Sequence, residues 1–193
     1  MQLAYEEFRK KIDSLRSDAN LFKAEFLDRD RFKKFADNLR ANVEGWHRLC
    51  ITGYFSETIR KSLESIIKGS PQYDVKLICP NLDVKKVRDR KNLEALRKLA
   101  SAGAQIKVND RLHARFLVAY NPVQKHEFIK YWGLLLIGSF DFNTECIGRE
   151  RYDAGIKLRH PDLIESAVQL FDQIWNEPES IPLEGFGKKT ERT

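Results

Sequence analysis

Two apolar stretches near the middle of the chain end in polar side chains that could carry out chemistry. Residues 112–120 read LHARFLVAY, and residues 131–143 read YWGLLLIGSFDFN. An imidazole can attack phosphorus, whereas a guanidinium, a hydroxyl and an amide can hold phosphate oxygens. All four groups occur in these two stretches. Their residue types would therefore suit phosphoryl transfer without a metal ion.

In the first stretch, His113 is the candidate nucleophile, because a neutral imidazole can form a phosphohistidine and divide one displacement into two. Arg115 follows two positions later, so on a strand both side chains would share one face. Its guanidinium can grip a phosphate with two parallel hydrogen bonds. The alternatives are a hydrogen-bonded core histidine at His113 and a salt bridge from Arg115 to Asp141 or Asp153. The nearby Gly138-Ser139 pair favours the site.

The second stretch supplies groups that could bind phosphate oxygens. Ser139 and Asn143 can donate hydrogen bonds, and Gly138 allows the backbone to approach a ligand closely. Asp141 does not suit this role, because a carboxylate beside a phosphate repels it unless it is paired or protonated. Asp141 could instead orient a histidine, or it could mark a site that has lost its activity.

The two stretches together resemble the phospholipase D superfamily motif, H-x-K-x4-D followed by G-S-x-N or G-S-x-N-x-N. His113-Ala114-Arg115 matches H-x-K with Arg in place of Lys. Residues 138–143 match G-S-x-N-x-N with Asp141 at the first Asn position, and the motif Asp falls on Tyr120 and is missing. The spacing between the two halves is longer than in the family, which an inserted hairpin between the strands would explain.

A further segment, residues 151–156 (RYDAGI), is similar to the N-x-E-x-G strand that follows the motif in this family. Asp153 stands at the family's Glu position and could hold the imidazole in the required tautomer. The resemblance covers roughly residues 27 to 177. It implies an α/β fold with a phospholipase D-like mixed β-sheet flanked by helices on both faces. Residues 1–26 would form an N-terminal helical extension, and residues 178–193 a mobile tail.

Alternating strands and helices must position these groups. The hydrophobic pattern predicts helices over 1–20, 28–43, 56–69, 87–103 and 161–175. It predicts strands over 48–55, 75–79, 104–108 and 152–158, besides the two motif strands. Strand, helix, strand, helix, strand is the order of a parallel α/β sheet. The motif strands follow one another without a helix, so the second half of the sheet should be partly antiparallel.

The chain of 193 residues, with a net charge of +6 and a pI of about 9.2, fits one basic domain. An excess of basic residues favours a polyanionic partner, with nucleic acid as the first candidate and an anionic membrane surface as the second. A generally Lys-rich surface would give the same charge. No apolar run approaches the roughly 20 residues of a membrane span, and the first residues lack a signal peptide's apolar region. We therefore expect a cytoplasmic protein that does not bind membranes.

Basic residues concentrate over 85–91 and at Arg149 and Arg151. The first run is typical of a solvated helix face. Arg149 and Arg151 follow the site directly, so they are better candidates for steering a polyanion. Tyr54, at the end of the first predicted strand, could stack on a base or simply pack in the core.

The three cysteines, Cys50, Cys79 and Cys146, are odd in number and lack C-x-x-C spacing. They indicate reduced core thiols rather than a disulfide framework or a zinc site. The sequence offers no cluster of carboxylates, histidines and cysteines for a metal ion. We therefore expect no cofactor.

The favoured hypothesis is a metal-independent phosphodiesterase, more narrowly a nuclease, because small size, a single motif and basic charge resemble the nuclease branch of the superfamily. The alternative is a non-catalytic protein that binds nucleic acid or supports assembly on the same fold. The superfamily mechanism uses two histidines, and this chain has one motif. The resemblance therefore implies a homodimer in which each subunit contributes its His113 to one shared site.

Overall fold

Eight strands form one mixed sheet in the computed structural model, which describes residues 24–55, 57–69, 72–122, 131–139 and 154–186. The order across the sheet is β1-β7-β6-β5-β2-β3-β4-β8. The strands are β1 (Ala24–Leu27), β2 (Arg48–Thr52), β3 (Asp74–Pro80), β4 (Gln105–Asn109), β5 (Phe116–Pro122), β6 (Tyr131–Gly138), β7 (Gly155–Leu158) and β8 (Ile181–Pro182).

The first half of the sheet is parallel and the second half is antiparallel. β2, β3 and β4 pair in parallel, as expected for strands joined by helices. β5 pairs antiparallel with both β2 and β6, and β7 pairs antiparallel with β6. The predicted mixed sheet, with the two motif strands as antiparallel neighbours, is confirmed.

Five α-helices flank this sheet within the described residues. They are α1 (Arg29–Asp37), α2 (Leu39–Val43), α3 (Glu57–Gly69), α4 (Val87–Ala102) and α5 (Pro161–Asn176). The prediction of one continuous helix over 28–43 is wrong, because Asn38 interrupts it with φ −107° and ψ 27°. The Asn38 side-chain amide donates to the carbonyl of Lys34 at 2.9 Å, a local bond that competes with helix continuation.

The apolar faces of the helices build a core on each side of the sheet. Helices α1 to α4 pack on one face, and α5 packs on the other. The inward residues predicted for α1 and α2, including Phe32, Phe35 and Leu39, are buried. The prediction of inward-facing residues on α5 is wrong for Leu163 and Leu170, which are 46% and 44% exposed. Helices on both faces of the sheet match the predicted fold class.

Two short strands at the lateral edges were not predicted. β1 pairs with β7, and β8 pairs with β4 through only two residues. β1 begins within the segment expected to be a helical extension, and β8 lies within the segment expected to be a mobile tail, beside the buried Leu183. The domain limits themselves stay a prediction. The helix predicted over 1–20 lies outside the described residues.

Strand directions define two ends of the sheet. β2, β3, β4 and β6 finish, and β5 and β7 begin, at what we call the Thr52 end. The opposite end, where Tyr120 pairs with Arg48, is called the Tyr120 end. In the described part of the chain, no helix combines the length and apolar character that crossing a membrane requires.

Candidate functional site

His113 and Arg115 lie at the Thr52 end, immediately before β5. β5 begins at Phe116, which is paired with Thr52, the last residue of β2. The next residue, Gly53, has φ 132°, a conformation that favours glycine, and its N–H bonds to β3. The prediction that both side chains lie on a strand is wrong, because β2 turns away from β5 before it reaches them.

The hydroxyl of Thr52 holds this segment in place of a strand partner. It donates to the carbonyl of Ala114 at 2.9 Å and accepts from the N–H of Phe116 at 3.0 Å. Thr52 is fully buried, so both bonds are shielded from water. The sequence analysis missed this residue. The sequence shows a hydroxyl at the end of an otherwise apolar strand, but nothing in the sequence indicates that this hydroxyl bonds to residues 114 and 116.

The Gly-Ser segment lies directly beside the histidine segment. The N–H of Gly138 donates to the carbonyl of Arg115 at 3.3 Å. Ser139 bonds on its other side to Ala154, since its N–H donates to the Ala154 carbonyl at 3.0 Å and its hydroxyl accepts from the Ala154 N–H at 3.2 Å. The two halves of the predicted motif, separated by an insertion in the sequence, are thus neighbours in space.

Exposure differs among the grouped residues. His113 and Ser139 are exposed, whereas Arg115 and Gly138 are half-buried. A ligand could therefore reach His113 and Ser139 from solvent, whereas Arg115 is less accessible. An imidazole, a guanidinium and a hydroxyl on adjacent segments can together bind a phosphate and attack it.

Five predicted site residues lie outside the described residues. Their predicted roles, including the alternative salt bridge from Arg115, stay predictions. They are Asp141, Asn143, Arg149, Arg151 and Asp153.

Tyr54 also lies at the Thr52 end, in the loop that follows β2. It is half-buried and packs against the larger core, which supports its packing role. The next residue, Phe55, donates its N–H to the side-chain oxygen of the buried Asn92 at 3.1 Å. The loop that carries Tyr54 is therefore fixed to helix α4.

Tyr120, which replaces the motif Asp, lies at the other end of β5. It lies four positions after Phe116, a distance of about 13 Å along a strand. It is buried, hydrogen-bonded to Arg48 and paired with Gly133, where a Cβ would clash with the Ala119 carbonyl. Burial raises the pKa of Tyr120 to about 12. This end of the strand belongs to the core and not to the site.

The cysteines that the structure describes are core residues, as predicted. Cys50 and Cys79 are free and buried, and burial raises the pKa of each thiol to about 12. Cys146 lies outside the described residues. No group of three or more His, Cys, Asp or Glu side chains in the described ranges could hold a metal ion.

Similarity to known proteins appears in structure and not in sequence. No protein-family model and no curated protein matches the chain. Among solved structures, the phospholipase D family member Nuc from Salmonella typhimurium superposes with a TM-score of 0.60 at 14% identity, over 83% of this chain and 96% of Nuc. The chain has the phospholipase D fold.

Two other solved structures of similar fold extend the comparison. NucT from Helicobacter pylori matches with a TM-score of 0.60 at 11% identity, over 83% of this chain and 99% of NucT. TrmBL2, an archaeal chromatin protein with a novel mode of DNA binding, also matches. Its TM-score is 0.51 at 12% identity, over 93% of this chain and 64% of TrmBL2. Identities this low show the shared fold alone.

Proposed function

We propose that this chain is a metal-independent phosphodiesterase, specifically a nuclease, with His113 as its nucleophile. The proposal depends above all on the hydrogen bond from the Gly138 N–H to the Arg115 carbonyl, which joins the two halves of the motif. It places Ser139 on a segment next to the His113 segment at the Thr52 end, where both side chains are exposed. The basic charge of the chain adds support for a polyanionic substrate.

The chemistry divides one displacement into two steps. An imidazole nitrogen of His113 attacks phosphorus, the P–O bond to the leaving group breaks, and the leaving oxygen takes a proton from a second, protonated imidazole. Water then attacks the phosphohistidine, gives its proton to that second imidazole, and releases His113. Arg115, Ser139 and Asn143 would hold the non-bridging oxygens, where negative charge is greatest.

The second imidazole in this proposal is His113 of a second copy of the chain. An isologous dimer brings identical surfaces together, so a site on its two-fold axis receives both His113 side chains. An apolar row beside the site supports such an interface. Phe26, Ile156 and Ile137 are cross-strand neighbours on β1, β7 and β6, with 59%, 45% and 48% of their surfaces exposed. Light scattering tests this directly, and a monomer at micromolar concentration would contradict the shared site.

Nucleic acid is the proposed substrate, and three observations support it. Nuc and NucT share the fold over nearly their whole length, and TrmBL2 is a DNA-binding protein of similar fold. The chain is basic, with 34 Lys and Arg against 28 Asp and Glu. An excess of positive charge attracts phosphate chains over distances beyond direct contact.

The test is a nuclease assay in the presence of a chelator of divalent metals. Wild-type protein should cut, and His113→Ala should lose at least about a thousandfold in rate, because it lacks the nucleophile. His47→Ala, at an exposed histidine near the Tyr120 end, is the matched control and should cut like wild type. Activity should be bell-shaped in pH, since one imidazole must be neutral and the other protonated. Loss of cleavage in chelator, with rescue by magnesium, would contradict the mechanism.

The second candidate function is nucleic-acid binding without catalysis. The departures from the motif at Arg115, Tyr120 and Asp141 favour it. So does TrmBL2, a chromatin protein of similar fold. Tight binding of an oligonucleotide that stays uncut at every pH tested would favour this function over the first.

A further inference from the structure

The basic run over 85–91 lies at the same end of the sheet as the candidate site. It contains five basic residues, Lys85, Lys86, Arg88, Arg90 and Lys91, and one acidic residue, Asp89. β3 finishes at Pro80, and α4 begins at Val87, so the run spans the β3–α4 connection and the first turn of α4. Because β2 and β3 are parallel, this connection emerges beside the loop that carries Tyr54.

Hydrogen bonds link the site to this run through the core. Thr52 holds the histidine segment, and the loop after Thr52 is fixed to α4 where Phe55 donates to Asn92. One turn earlier in α4, Asp89 accepts from the N–H of Asp83 at 2.9 Å. Asp89 and Asn92 are 3% and 4% exposed. The buried polar groups therefore fix the Tyr54 loop and the β3–α4 connection in one arrangement relative to the site.

Four of the basic residues in this run lie at the surface. Lys85, Lys86, Arg90 and Lys91 are exposed. The Lys86 ammonium lies 3.8 Å from the carboxylate of Asp83, with both side chains largely exposed. A surface ion pair of this kind gains little and exchanges readily for a phosphate. The buried carboxylate of Asp89, by contrast, is not presented to a ligand.

The spacing suits a nucleic acid strand. β5 and β3 are separated by β2 alone, so the strands that lead to the site and to the basic run are about 10 Å apart across the sheet. A nucleic acid strand bound at the site could therefore continue across the basic run within a few nucleotides. Tyr54 lies between the two, and a half-buried aromatic ring can offer its accessible face to a base.

We propose that residues 85–91 form a second phosphate-binding surface, which holds a nucleic acid strand a few nucleotides from the phosphate at His113, with Tyr54 beneath the intervening bases. The inference extends the proposed function, and it rests on nucleic acid being the ligand of the site. It revises the interpretation of this run as a solvated helix face.

Two double variants, one just before α4 and one within it, test the proposal. Lys85→Gln with Lys86→Gln removes two charges at the Thr52 end. Arg97→Gln with Lys98→Gln removes two exposed charges about 15 Å from the start of α4, toward the opposite end of the sheet. Both are made in the His113→Ala chain, so that the probe is not cut and the result does not depend on catalysis. The probe is fluorescein-labelled oligothymidylate, about 20 or about 4 nucleotides long.

The Lys85/Lys86 variant should bind the longer probe about tenfold more weakly than its parent. Its salt dependence, the slope of log affinity against log salt, should be smaller by about 1.4, because two phosphate contacts are lost at about 0.7 each. The Arg97/Lys98 variant should change affinity less than about twofold. The Lys85/Lys86 effect should shrink with the shorter probe, which cannot occupy both surfaces fully. Equal losses in both variants, no loss in either, or no binding of the longer probe by the parent would overturn the proposal. A wild-type chain that binds in this pattern but never cuts would leave it standing and refute only the nuclease function.

Discussion

At the Thr52 end of β5, an exposed histidine precedes the strand. Hydrogen bonds of the Thr52 hydroxyl and of the Gly138 N–H hold its segment beside the Gly-Ser pair. At the Tyr120 end, a buried tyrosine bonds to Arg48 and lies against a glycine of the next strand. The phospholipase D motif has a polar residue at each of these ends, the His at position 113 and the Asp at position 120. In this chain the residue at the Thr52 end is polar and exposed, whereas the residue at the Tyr120 end is buried in the core.

Because the two ends of β5 differ, the departures from the motif at these ends should have different consequences. A change at Tyr120 should alter stability and leave the site intact, because about 13 Å of strand separates the two. A change at Arg115 or Thr52 should alter the site, because both contact its backbone or belong to it. Substitutions at the two ends of one strand can therefore separate folding from function.

After His113→Ala, the Arg115→Ala change should have the largest effect of the substitutions at the Thr52 end. Without the guanidinium, the negative charge that develops on phosphate loses a donor, and the rate should fall by about a hundredfold or more. Affinity for an oligonucleotide should fall as well. Arg115→Lys should keep or raise the rate, since it restores the family residue and the charge. Steady-state kinetics with the three proteins measures both effects. An Arg115→Ala enzyme with unchanged kinetics would mean that the residue is structural.

Thr52→Val should have a smaller effect on the rate. The change keeps the shape of the side chain but removes the hydroxyl that bonds to Ala114 and Phe116. We expect a loss of about 1–3 kcal/mol in the free energy of unfolding, and a loss of about tenfold in rate through a displaced His113 segment. Thr52→Ser keeps the hydroxyl and should restore most of the rate. Denaturant unfolding and kinetics on the folded protein measure the two losses, and a normal rate in folded Thr52→Val would contradict the positioning role.

Tyr120→Phe should have the smallest effect and should act on stability alone. Loss of the bond to Arg48 should cost about 1 kcal/mol. The folded pKa of Tyr120 is raised from 10.0 to about 12, so its contribution is complete below pH 10 and is lost as pH rises through 12. Wild-type stability should therefore decline more steeply than that of the variant over this range. Unfolding at several pH values measures the slopes, and a reduced rate at neutral pH would contradict the separation of the two ends.

Hydrophobic spacing was enough to predict the order of strands and helices, whereas the sheet flanked on both faces was predicted from the resemblance. Apolar periodicity gave most of the inner faces of the helices, and the absence of a helix between the motif strands gave their antiparallel pairing. The pattern could not predict β8, because two residues carry no periodicity. It failed at Asn38, where a side chain bonds to its own helix and ends it.

The site was predictable as a set of residue types but not as an arrangement. The motif predicted that His113, Arg115 and Ser139 belong to one site, and in the structure their segments are neighbours. The strand assignment for His113 failed, because strand pairing depends on where β2 ends and Gly53 turns. Thr52 was missed for the same reason, since its two partners lie more than 60 residues away in the chain.

The central claim is that His113, at the exposed end of β5, becomes covalently attached to phosphorus. An oligonucleotide with radiolabelled internal phosphates, mixed with enzyme in chelator and quenched within the first turnover, tests it directly. We expect label on the protein that is stable to base and released by acid, as a phosphorus–nitrogen bond requires, and located at His113 by peptide mapping. The label should be absent from His113→Ala. Cleavage without any protein-bound label, or label that maps to a different residue, would contradict the account.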